Sequence, residues 1–122
     1  MELTKAEEQV MQILWKIEKG FVKDVLDHYE EPKPAYTTVA TIIKILEKKG
    51  YLSHETYGNA HQFFPVVSKI EYSIKQVNPI FGKYFSGSIK DVVSFFAANN
   101  KIETDDINDA IRLLSELKNK KQ

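Results

Sequence analysis

Cysteine is absent from the 122 residues, which excludes a disulfide framework, a thiolate metal site and a cysteine nucleophile. Long apolar runs are missing as well: none approaches the roughly 20 residues that a membrane helix needs. The start, Met1-Glu2-Leu3-Thr4-Lys5, lacks the basic and then apolar profile of a secretory signal. These absences point to a cytoplasmic protein with no membrane insertion. No Gly-rich phosphate loop, nucleophile motif or acid/base pair is visible, so an enzyme is the weakest class of reading. His28, His54 and His61 share no metal-ligand spacing and stand near no clustered carboxylates, so neither a metal nor another cofactor is expected. Net charge is lacking too, since seventeen Lys and Arg face seventeen Asp and Glu.

What is present is the balance of an ordinary folded protein, 43% hydrophobic and 28% charged. A chain of 122 residues can form one conventional domain or two small ones with marginal cores, which favours self-association. The charge is unevenly placed. Residues 1–66 hold eight Lys and ten acidic residues, a balance of −2, and residues 67–122 hold nine basic and seven acidic, a balance of +2. Bulk charge in the first half therefore opposes nucleic acid, whose phosphates are neutralised by Lys and Arg. The stretch from Lys33 to Lys49, with four Lys and one Glu, runs the other way.

Thr4 and Glu7 form a capping pair that predicts a helix start, and Val10, Ile13, Leu14 and Ile17 follow at helical spacing until Gly20 stops the pattern. Trp15 on this helix is expected in the core. A short second helix puts Val22, Val25, Leu26 and Tyr29 on one face, and Pro32 and Pro34 forbid its continuation. From Tyr36 to Lys49 a third helix has Val39, Ile42, Ile43 and Leu46 on its core face, Thr37 or Thr38 as a candidate cap, and Gly50 as its stop. Thr38, Thr41, Lys44 and Ile45 lie off that face. Beyond Gly50 the period drops to two, and Gly58-Asn59 joins two strands into a hairpin. Helix, helix, helix, hairpin is the order of a winged helix-turn-helix.

Three further helices are predicted. The first runs from Ser68 to about Tyr84 with Pro79 as a kink or break, the second follows a Ser88 and Asp91 capping pair, and the third starts at Thr104-Asp105-Asp106. The fold class is thus mainly α with a small β-hairpin wing, with residues 1–66 as the winged-helix domain and 67–122 as a helical module. In a helix-turn-helix the second helix of the pair enters the major groove. Here that reader is Tyr36 to Lys49, whose threonines offer hydroxyls and methyls and whose Lys44 offers a charge. It contains no Arg for a bidentate guanine contact.

At these residues the chain resembles the BlaI/MecI family of penicillinase and methicillin-resistance repressors. The resemblance is carried by Leu3-Thr4, Ala6-Glu7, Val10-Met11 and Leu14-Trp15, by Ala35-Tyr36-Thr37-Thr38-Val39, Thr41-Ile42-Ile43, Leu46 and Lys48-Lys49-Gly50-Tyr51-Leu52, and by Phe64-Pro65. A weaker tail runs from Tyr84-Phe85 and Gly87 through Leu113-Leu114. The resemblance implies a transcriptional repressor that binds a palindromic double-stranded DNA operator as a homodimer. DNA contacts are then expected from Tyr36, Thr37, Thr38, Thr41, Lys44 and Lys48 on the reader and from Asn59 and His61 on the wing. The dimer interface is expected at Ile74, Val77, Phe81, Val92, Phe96, Ile111, Leu114 and Leu117. In that family a membrane sensor-protease pathway triggers cleavage of the repressor, at an Asn-Phe pair that aligns with Ser94-Phe95. Serine thus replaces the family's asparagine, Gly58-Asn59 replaces its frequent Gly-Arg in the wing, and the cysteine motif of copper-responsive relatives is absent. A protein-interaction adaptor built on the same winged helix is the alternative that the acidic balance of residues 1–66 suits.

Overall fold

Thr4 and Glu7 open the first helix, α1 (Lys5–Ile17), by capping each other. The Glu7 N–H donates to the Thr4 hydroxyl at 3.1 Å, and the Thr4 N–H donates to the Glu7 carboxylate at 2.9 Å. Two backbone donors are satisfied in this way at the helix start. The computed structural model that shows this describes residues 3–121. α1 buries Val10, Met11 and Leu14 at three- and four-residue spacing. It ends at Ile17, where Glu18 turns to a φ of 74°, earlier than the stop expected at Gly20. Gly20 serves another purpose. Its N–H donates to the Phe63 carbonyl at 2.9 Å and its carbonyl accepts from the Phe63 N–H at 2.8 Å. A Cβ at Gly20 would lie 2.9 Å from Ile17 Cδ1 and 3.1 Å from Asp24 Cβ, so a larger residue there would have to displace these side chains.

α2 (Val22–Asp27) starts where the Asp24 carboxylate accepts the Phe21 N–H at 2.8 Å, and it buries Val25. A connector carrying Pro32 and Pro34 leads to α3 (Tyr36–Lys48), which buries Val39, Ile43 and Leu46. Its cap position is Ala35, which makes no side-chain capping bond, so neither Thr37 nor Thr38 is the cap expected from the sequence. The other end closes as predicted. Gly50 takes a φ of 88°, and the N–H groups of Tyr51 and Gly50 donate to the Leu46 and Glu47 carbonyls at 3.0 Å each, the paired bonds of a Schellman cap.

β1 (Leu52–Tyr57) and β2 (Ala60–Pro65) pair antiparallel from Leu52↔Pro65 to Tyr57↔Ala60. The core of this part joins Val10, Met11, Leu14, Val25, Val39, Ile43, Leu46, Leu52 and Phe63. Trp15 is half-buried at its edge, with its Nε1–H donating to the Val67 carbonyl at 2.9 Å.

The chain forms two compact units, divided between residues 75 and 76. Tyr72 belongs to the first of these units. That ring lies 5.7 Å from Trp15 and 6.1 Å from Tyr51, and its hydroxyl donates to Glu8 at 3.2 Å. Tyr72 belongs to α4 (Lys69–Phe85), which continues through Pro79 without ending there. The second unit also holds α5 (Ile89–Asn99), capped by a Ser88 hydroxyl that accepts the Asp91 N–H at 3.2 Å, and α6 (Thr104–Lys120). Phe95 stacks edge-on with Phe85 and Phe96, at 5.5 Å in each pair. Among the described residues of this unit no side chain is buried. No described helix is long and apolar enough to cross a membrane.

Candidate nucleic-acid interface

The core stripe of α3 fixes what its opposite face presents. With Val39, Ile43 and Leu46 buried, Tyr36, Thr37, Thr38, Thr41, Lys44 and Lys48 are all exposed, so all six residues expected on the reader are accessible. Thr37, Thr41, Lys44 and Lys48 follow one another at four, three and four residues and form one row along the helix. Thr41 Oγ1 donates back to the Thr37 carbonyl at 2.9 Å. Ile45 belongs to the same exposed surface and is 40% exposed.

The local excess of lysine is smaller in space than in sequence. Lys49 Nζ sits 2.8 and 2.9 Å from the two Glu7 oxygens, and the Glu7 side chain is only 8% exposed. The hydrogen bond from Lys49 and the one from the Thr4 N–H outweigh the opposing effect of burial and, with the lysine charge added, hold the Glu7 carboxyl below its ordinary range. Lys49 therefore ties the end of α3 to the start of α1. Lys44 and Lys48 are held by no ion pair among the described residues. They are the cations that α3 itself leaves exposed.

The hairpin presents the other two expected residues. Asn59 and His61 are exposed, and Gly58 takes a φ of 60° at the two-residue turn, a conformation that glycine adopts without strain. His61 Nδ1 lies 3.1 Å from Thr56 Oγ1, and its ring centroid is 4.2 Å from that of His54. His54 in turn hydrogen-bonds Glu47 through Nδ1. The wing is thus linked to the reader by a His54 and Glu47 contact that the sequence pattern did not signal, because the two residues lie on different elements with different periods. Tyr57 is 52% exposed near the tip. Its hydroxyl donates to Glu55 at 2.8 Å, which pushes the phenol above its ordinary range. No group of three or more His, Asp or Glu among the described residues is placed to hold a metal ion.

The family model for penicillinase repressors matches residues 3–116. The chain belongs to the penicillinase repressor family. It is 24% identical to the penicillinase repressor of Bacillus licheniformis over 122 residues, covering 99% of this chain and 95% of that one. It is 22% identical to the methicillin resistance regulatory protein MecI of Staphylococcus aureus strain N315, covering 93% of this chain and 94% of that one. Among solved structures, the DNA-binding domain of the repressor BlaI is similar with a TM-score of 0.51 and 25% identity, covering 58% of this chain and 88% of that domain. The monomeric form of Bacillus licheniformis BlaI in complex with the blaP half-operator gives a TM-score of 0.50 and 25% identity, covering 59% of this chain and 89% of that one. The first unit of this family member accordingly has the winged helix-turn-helix fold read from the sequence.

The remaining expected residues lie on α4 to α6. Ile74, Val77, Phe96, Ile111, Leu114 and Leu117 are exposed, while Phe81 and Val92 are half-buried. Ser94 and Phe95 are exposed inside α5.

Proposed function

We propose that this protein is a cytoplasmic, sequence-specific DNA-binding transcriptional repressor that acts as a homodimer on a palindromic operator. The observation that carries the reading is the exposed row of Thr37, Thr41, Lys44 and Lys48 on the second helix of a helix-turn-helix, backed by a buried stripe that holds it in place. That a similar repressor has been solved in complex with a half-operator supports DNA as the partner. In this reading Tyr36, Thr37, Thr38 and Thr41 meet base edges and sugars, Lys44 and Lys48 meet phosphates, and Asn59 and His61 reach the backbone from the wing. Residues 1–66 carry the DNA contacts and residues 67–122 the dimerisation, through Ile74, Val77, Phe81, Val92, Phe96, Ile111, Leu114 and Leu117. Support for the dimer is the absence of any buried side chain among the described residues beyond 75, since three helices with apolar faces need a partner to cover them.

Relief of repression by a sensor-protease pathway that cuts beside Phe95 completes the proposal. Because Ser94 and Phe95 lie within α5, cutting requires local unwinding of that helix. A gel-shift titration with fragments from the protein's own promoter region tests the central claim. We expect a retarded complex with two protomers per site, resistant to competitor DNA and weakened by salt. A folded protein that retards no fragment at low salt would instead leave the adaptor reading.

A further inference from the structure

A repressor reads sequence with whatever its exposed helix face offers, and α3 offers an unusual set. It exposes no Arg, Asn or Gln, the side chains that make bidentate contacts with guanine or adenine. Glu47 is held by His54. Lys44 and Lys48 carry charge but no fixed fork. Thr41 has committed its hydroxyl proton to the Thr37 carbonyl, 2.9 Å away, so towards a base it keeps a lone pair and a methyl group. Beside it, one turn further along the same surface, stands Ile45, a β-branched apolar side chain 40% exposed and outside the core cluster. A single exposed isoleucine is ordinary on a protein surface. This one shares the face of Thr38, Thr41, Lys44 and Lys48, where a base-reading function has been proposed.

The only major-groove base edge with an apolar group is that of thymine, through its 5-methyl. We infer that Ile45, together with the Thr41 methyl, is a specificity-determining contact for thymine 5-methyl groups in the operator half-site. The inference rests on the repressor reading above and adds the base and the residue that reads it. Desolvating Ile45 against a thymine methyl removes apolar surface from water on both sides. A cytosine at the same place carries only hydrogen at C5, so the apolar contact is lost and discrimination follows from the methyl group.

The test begins with enrichment of a preferred duplex from random DNA by the full-length protein, followed by replacement of each thymidine in turn by deoxyuridine, which deletes only the methyl group. Affinity should fall about fourfold at one or two positions per half-site, the factor that burial of one methyl-sized group carries. In the Ile45→Ala protein the same replacements should cost almost nothing, while Ile45→Val should retain part of the loss. Circular dichroism and melting should show unchanged helix content and stability in both variants, since Ile45 lies outside the core cluster. The inference is overturned if every deoxyuridine duplex binds like its parent, or if the losses persist unchanged in Ile45→Ala. If no sequence is enriched at all, the repressor reading itself fails and this inference falls with it.

Discussion

Glu7 is the side chain whose surroundings say most about its energetics. It is an acid on the inner side of a helix start, doubly bonded to Lys49 and bonded again within its own cap. Removing one partner of a shielded ion pair strands the other. Lys49→Met should therefore destabilise the first unit by about 2–3 kcal/mol, below the range for a fully buried pair because the Lys49 side chain remains 25% exposed. The pH dependence follows from the lowered Glu7 pKa. Its contribution to stability is fully present above the ordinary value of 4.5 and is lost as pH falls through the lower folded value. Melting curves between pH 7 and pH 3, both about the usual working range for carboxylate linkage, should show a steeper acid loss for the natural protein than for Glu7→Gln. Equal slopes would remove Glu7 from the account.

The reading face makes the complementary prediction. Thr38→Ala, Thr41→Ala and Lys44→Ala should leave the melting temperature nearly unchanged, since all three are exposed. Loss of a base contact should cost about 1–3 kcal/mol in operator binding, and loss of a phosphate contact at Lys44 should lower the salt slope by about 1. The exposure of these residues was legible from the helical stripe alone. The sequestration of Lys49 was not, because it depends on which helix α3 meets.

Among the elements, α3 and the hairpin show how far local rules reach. Gly50 was read as a helix stop, and the structure gives it a left-handed φ of 88° with open space around its Cα. Gly50→Ala should thus cost about 1 kcal/mol from backbone strain alone, and Gly50→Asn less, as chemical denaturation of the two variants would measure. An unchanged midpoint for Gly50→Ala would mean that the Schellman cap contributes little. The strands and their turn were legible from alternation and Gly58-Asn59. The end of α1 was misplaced because the pairing that holds Gly20, with Phe63 on β2, is invisible to any pattern of near neighbours. Residue type favours Thr37 or Thr38 as the cap, yet Ala35 occupies the cap position. Propensity yields there to the geometry of the connector that delivers the chain.

The whole molecule is two units with very different interiors. The first has a closed apolar core, and the second exposes Leu114 and Leu117 at 46% each and Ile111 at 57%. Light scattering at micromolar concentration should therefore find a dimer. Leu114→Asp should dissociate it, leave the melting of the first unit in place, and weaken operator binding by about 10²–10⁴, the advantage lost when two half-sites are no longer linked. A monomeric natural protein with cooperative folding would refute the dimer.

The sequence by itself determined the six helices, the hairpin and the exposed face of α3, because each depends on residues within a few positions of one another, through caps, turns and the periods of helix and strand. Tertiary structure alone decided that Lys49 serves Glu7, that His54 joins the wing to Glu47, that Gly20 extends the hairpin and that Tyr72 belongs to the first unit. These are pairings between groups distant along the chain or on elements of different period. Their partners are selected by how the helices pack around a shared core, and no local periodicity encodes that choice.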